Sequence, residues 1–224
     1  MNEADSVYYM AVDQLPLAKR ILARARIQMF ELFMSAMEPT RATTILDIGV
    51  SEHENDEANF LEKMYPYKSS ITCASVGDGE KVRACYPEVK HVTISPGAPL
   101  PFPDGRFDIA YSNAVLEHVG GYQERRNFLS EALRVANSVF ITVPNSWFPV
   151  EHHTGLPFLH YWPALFRTCL KGSSLAFWTD PANLEFLTIA RLRDEWPSGA
   201  KPHFMYTGIP LGPWSSNIAV ALRR

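Results

Sequence analysis

Cysteine is scarce in this chain of 224 residues. Only Cys73, Cys85 and Cys169 occur, an odd number with no C-x-x-C spacing, so neither a disulfide framework nor a cysteine zinc site is expected. Positive charge is not in excess either: 21 Lys and Arg stand against 24 Asp and Glu, for a net charge of −3. A phosphate-binding surface normally needs clustered cations and a basic domain, so no nucleic-acid partner is expected. The short cluster Lys19, Arg20, Arg24 and Arg26 reads as the solvated face of a helix. No apolar run approaches the roughly 18 residues that span a bilayer, and no basic start leads into a hydrophobic segment. The expectation is a soluble, cytoplasmic protein with no membrane partner. Repeats and low-complexity tracts are also missing, and no G-x-G-x-x-G follows the first strand, which disfavours an NAD-dependent oxidoreductase.

What is present is enough apolar material, 46% of the residues, for one well-buried α/β domain over residues 1–224. Residues 1–15 are polar and unpatterned. From Pro16 to Met37, Leu17, Ile21, Leu22, Ala25, Met29, Leu32, Phe33 and Ala36 recur at helical spacing, with Pro at the start and Pro39 beyond the end. This predicts a helical cover over residues 1–40. Buried strands are expected at Thr43–Ile48, Ile71–Val76 and Phe107–Ser112, and further strands at His91–Ile94 and Ser138–Val143. Helices are expected at Asn55–Tyr65, Asp78–Cys85 and Gln123–Val135. Strands alternating with helices imply right-handed crossovers and a doubly wound, Rossmann-like, seven-stranded, mostly parallel sheet. After Pro144 the pattern breaks, because Pro144–Pro163 holds four prolines, two tryptophans and three histidines; long irregular segments of this kind are usually functional loops. Helices near Pro163–Leu170 and Ala182–Arg193 follow. An antiparallel pair, His203–Thr207 with Asn217–Leu222, closes the chain. Residues 144–195 are expected to form a lid and acceptor-side insertion.

The segment Leu100–Val119, LPFPDGRFDIAYSNAVLEHV, resembles the central block of class I S-adenosylmethionine-dependent methyltransferases of the ubiquinone/menaquinone ("type 11") group. The likeness runs from Thr43 to Trp162 and resumes at Asn183–Leu187 and in the last strand. Val143–His160, VPNSWFPVEHHTGLPFLH, is similar to a subgroup associated with bacterial polysaccharide and secondary-metabolite pathways. The resemblance implies S-adenosylmethionine as cofactor, S-adenosylhomocysteine as product, and a small-molecule acceptor methylated at oxygen or nitrogen. It implies cofactor contacts from Asp47, Gly49, Val50 and Ser51 after the first strand. Gly77 and Asp78 would lie at the ribose, Pro96 and Gly97 at the adenine, and Asn113 after the fourth strand. The family's further glycines are replaced here by Ser51 and His53, and the third-strand acid by Pro96. A methyltransferase-like protein without catalysis therefore stays open as the alternative.

Methyl transfer from a sulfonium is an in-line displacement that positioning alone can accelerate, with a base needed when the acceptor loses a proton. Histidine suits that task near neutral pH, and His118, His152 and His153 are the candidates. Each can equally be an ordering or packing residue. Asn145, Trp147, His160, Tyr161 and Trp162 offer the mix of apolar area and polar groups found in acceptor pockets, or a small core beneath a lid. No metal site is expected, since no helix or closed ligand set supports one. Association into a homodimer is left open.

Overall fold

In the computed structural model, residues 16–52, 58–197, 199 and 201–224 are described, with the side chains of residues 16–22 excepted. The expectations for residues 1–15 and for His53 lie outside these residues. Seven strands form one sheet in the order β3-β2-β1-β4-β5-β7-β6. They are β1 (Ile45–Ile48), β2 (Ile71–Ser75), β3 (Lys90–Thr93), β4 (Phe107–Asn113), β5 (Ala136–Pro144), β6 (His203–Leu211) and β7 (Trp214–Leu222). The first five run parallel, while β7 pairs antiparallel with both β5 and β6. This is the doubly wound sheet with a closing antiparallel pair that the sequence pattern predicts.

The central strands are buried on both faces, which is why they read as apolar runs. On one face α1 (Pro16–Met37), α2 (Phe60–Met64) and α3 (Glu80–Cys85) enclose Phe33, Tyr65, Val82, Ile45, Tyr111 and Phe140. On the other, α4 (Tyr122–Val135) and α6 (Ile189–Glu195) enclose Leu129, Leu192, Leu46, Val139 and Ile218. A third cluster, Phe166, Leu170, Trp178 and Leu184, packs around α5 (Pro163–Leu170). Helix α4 buries Leu129, Ala132 and Val135 on one stripe. Arg134, at its last turn, binds the carbonyls of Leu100 and Phe102 and the carboxylates of Asp104 and Glu131. The LPFPDG loop is thereby fastened to the helix that follows its strand.

Two expected helices are corrected by local polar chemistry. Of the helix expected over Asn55–Tyr65, the described part begins only at Phe60, because Asn59 takes a left-handed φ of 50°. Its amide binds both the N–H and the carbonyl of Ser51. The helix expected over Ala182–Arg193 starts at Ile189, where Thr188 caps it by accepting from the Arg191 N–H. Residues 182–188 instead follow the strand ends, with the Asn183 amide donating to the Phe177 carbonyl and Glu185 N–H to the Glu117 carbonyl. Such partners compete with helical backbone bonds, and apolar periodicity does not record them.

Candidate active site

The strand order reverses between β1 and β4, and ligands of open α/β sheets bind beyond the carboxyl ends of the strands at such a point. Gly49, the first residue past β1, lies there with φ +97° and donates its N–H to the Ala74 carbonyl. A Cβ at Gly49 would come within 2.3 Å of the Val115 side chain. Glycine is thus required here by the close approach of the β1 and β4 turns, whatever ligand is bound. Ser112 ties the same two turns by donating its hydroxyl to the Ile48 carbonyl, and Asn113 accepts from the Thr142 hydroxyl.

Asp47 is buried at the end of β1 near the carboxyl group of Glu62 on α2, which is also buried. Burial, reinforced by the Glu62 charge, pushes the Asp47 pKa well up, and the Cys73 thiol donates to Glu62. The residue that instead brings a carboxylate to the end of β2 is Glu52, buried in the loop after β1. Its Oε1 accepts the Gly79 N–H at 2.7 Å, and its side chain fills the space a Cβ would need at Gly77. Asp78 is exposed, and its Oδ1 accepts from the Glu80 N–H at the start of α3. Val50 is buried, Ser51 is held by Asn59, and Pro96 and Gly97 are exposed beyond β3. The chemistry of these groups fits the cofactor. Glu52 keeps a second oxygen to accept from a ribose hydroxyl, as carboxylates do at this position of Rossmann sheets. Glu52 was not picked out in the sequence, although an acid three residues beyond Gly49, where further glycines are missing, was a readable signal.

The polar groups after β4 and β5 converge on a cleft lined by Glu117, Asn145, Ser146, Glu151, His152, His153, His160 and the stretch Leu184–Leu187. The cleft encloses about 270 Å³ counting its open mouth. His118 Nδ1 lies 2.6 Å from the Asn183 carbonyl, which can only accept, so Nδ1 carries the proton. Burial lowers the His118 pKa to about 3, with the neighbouring His153 adding to it. His153 Nδ1 lies 2.8 Å from Glu151. Glu151 also accepts from the backbone N–H groups of His153 and Thr154 and from the Thr154 hydroxyl. Burial raises the Glu151 pKa, but the charge of His153 and these donors outweigh it and bring it to about 2. Glu117 is 1% exposed, and among the described residues neither of its oxygens has a donor. Burial pushes its pKa up to about 7, against the pull of His153.

The other predicted residues divide. His160 is buried and donates Nε2–H to the Phe148 carbonyl, which leaves Nδ1 an acceptor with no partner among the described residues. His152 stacks on Phe148 at a centroid distance of 5.6 Å, and burial lowers its pKa to about 4. The Asn145 amide donates to the Ser215 carbonyl at the start of β7 and accepts from the Trp147 N–H of its own turn. Tyr161 donates its hydroxyl to the Trp147 carbonyl. Trp147 and Trp162 are 56% and 60% exposed. The aromatic packing beside the histidines comes from Trp178, whose ring centroid is 4.6 Å from that of His153 and 5.9 Å from that of His118.

Residues 58–138 match the family model of a methyltransferase domain. The fold is that of the class I S-adenosylmethionine-dependent methyltransferases. An S-adenosylmethionine-dependent methyltransferase from Aquifex aeolicus superposes with a TM-score of 0.57 at 15% identity, over 99% of this chain and 98% of the other. One from Methanosarcina mazei gives 0.58 at 15% identity, over 86% and 96%. A Pyrococcus horikoshii protein gives 0.64 at 13% identity, over 100% and 99%. No curated protein is found to match. The structural likenesses carry the fold, and the matched domain carries the enzyme class, a methyltransferase. Among the described residues of the methyltransferase, no helix is long and apolar enough to cross a membrane.

Proposed function

We propose that this methyltransferase moves the methyl group of S-adenosylmethionine to an oxygen or nitrogen of a small molecule, a sugar or secondary metabolite, seated in the cleft after β4 and β5. The observation that carries this reading is His160 Nδ1. It is a buried acceptor in that cleft, fixed as an acceptor by the Nε2–H bond to Phe148 and without a partner among the described residues. A buried polar atom left unpaired costs about 1–3 kcal/mol, so the cleft is suited to an incoming O–H or N–H. On the cofactor side, Glu52 would hold the ribose, and the Gly49–Val115 contact fixes the turn that separates the cofactor from the acceptor. The cofactor supplies an electrophilic methyl on a sulfonium. The chain's part is to align the acceptor atom, exclude water and receive the acceptor's proton where one is lost.

The test is transfer of labelled methyl from S-adenosylmethionine to a panel of sugars, hydroxylated metabolites and amines, with protein and RNA alongside. Label in a small molecule is expected, with kcat/KM falling roughly 10²–10⁴-fold in His160→Phe when the acceptor must lose a proton. Label only in protein or RNA would contradict the acceptor class. Cofactor binding with no transfer to any acceptor would favour the non-catalytic reading.

A further inference from the structure

We infer that Glu117, His118 and His153 form a binding site for one divalent transition-metal ion, zinc or a close relative. The three residues are 36 positions apart at most in sequence, and the fold brings one ligand atom from each within 4.8 Å of one another. The inference begins with the two rings. Each histidine has its Nδ1 committed, His118 to the Asn183 carbonyl and His153 to the Glu151 carboxylate. Both Nε2 atoms then face each other, 3.3 Å apart, with the rings nearly perpendicular at 87°. Two metal–nitrogen bonds of about 2.0–2.1 Å at a tetrahedral angle separate their nitrogens by about 3.3–3.4 Å. A carboxylate or carbonyl behind each liganding imidazole is also the outer-shell arrangement that zinc sites use to fix the tautomer.

A single proton shared by the two Nε2 atoms accounts for that distance as well. It does not account for Glu117. This carboxylate is buried beside the pair, with Oε1 4.0 Å from His118 Nε2 and no donor to either oxygen among the described residues. A divalent ion between the rings satisfies all three groups at once, after Glu117 closes by roughly 0.7 Å or more toward the rings. Two imidazoles and a carboxylate leave a fourth position open, as catalytic rather than structural zinc sites do. Trp178 supplies the apolar wall behind the rings. Glu117 and His153 also line the cleft, so the open position can take an acceptor oxygen. That last point rests on the acceptor reading above; the ion site itself does not.

The test uses the full chain, stripped with a chelator and titrated calorimetrically with ZnCl₂, and in parallel with Co²⁺ followed by visible absorption. One ion per chain is expected, with a cobalt spectrum of low coordination number. His118→Ala and His153→Ala should each weaken binding by about 100-fold or more, and Glu151→Gln by about 10–100-fold. Glu117→Gln, which keeps the shape and removes a buried charge, should also weaken it while retaining the wild-type melting temperature or exceeding it. His203→Ala, exposed on β6, should leave it unchanged. Absence of saturable zinc and cobalt binding by the wild-type chain, or full affinity in both histidine variants and Glu117→Gln, overturns the site. S-adenosylhomocysteine is titrated into the same preparations. Its binding without metal binding strikes this inference alone, and metal binding without it strikes the cofactor reading alone.

Discussion

Asp47 and Glu62 are two carboxyl groups buried together beneath β1, with burial and mutual charge holding the Asp47 pKa well above its usual value and burial also raising that of Glu62. The folded state therefore binds more protons than the unfolded chain once pH exceeds the ordinary carboxyl pKa of about 4, and stability falls as pH rises toward the raised value. Asp47→Asn keeps the shape of the protonated acid and removes this dependence. The melting temperature of the variant relative to wild type should climb as pH rises above about 4, and a difference that stays constant with pH would contradict the raised Asp47 pKa. The same residue shows what a sequence hides. Asp47 in ILDIGV marks the end of β1 by its position, but its partner Glu62 sits on a helix whose start is set by the Asn59 clamp on Ser51. Glu52 is legible as an acid just past Gly49, but its place at Gly77 and Gly79 depends on where the β1 loop turns.

Helices α4 and α6 are joined by an ion pair with no exposure on either side. Arg125 Nε lies 2.8 Å from Glu195, whose other oxygen also accepts from Arg191 Nε. Glu195→Leu leaves the buried Arg125 guanidinium with the Gly120 carbonyl as its one remaining hydrogen-bond partner among the described residues, and should destabilise the protein by about 3–5 kcal/mol in urea unfolding. Adding Arg125→Met should restore most of the loss; a double variant no more stable than Glu195→Leu would show that the pair contributes more than mutual compensation. The element level was also the most legible from sequence. Apolar runs gave β1, β2, β4 and β5 because parallel strands covered on both faces leave no other pattern, and Phe107–Asn113 differs from the expected Phe107–Ser112 by one residue. The stretch 182–188 misled because its apolar residues serve the third core cluster and the cleft wall, while its polar atoms bind Phe177 and Glu117.

Over the whole molecule, the sheet brings two sets of groups to its carboxyl edge from opposite sides of the β1–β4 reversal. Glu52, Gly49 and the Gly77–Gly79 turn lie on one side. Glu117, His118, Glu151, His153 and His160 lie on the other. The sequence offered the histidines one at a time; their convergence with two carboxylates spans residues 117–160 and depends on β4 and β5 being neighbours. The central claim is that the first set holds S-adenosylmethionine although Ser51 stands where the family has glycine. It is tested most directly by calorimetric titration of the purified chain with S-adenosylhomocysteine, with NAD alongside. The account predicts saturable binding of S-adenosylhomocysteine alone, one per chain, weakened by about 10-fold or more in Glu52→Ala through loss of a hydrogen bond to a charged group. Absence of binding, or undiminished binding in a folded Glu52→Ala variant, would contradict it.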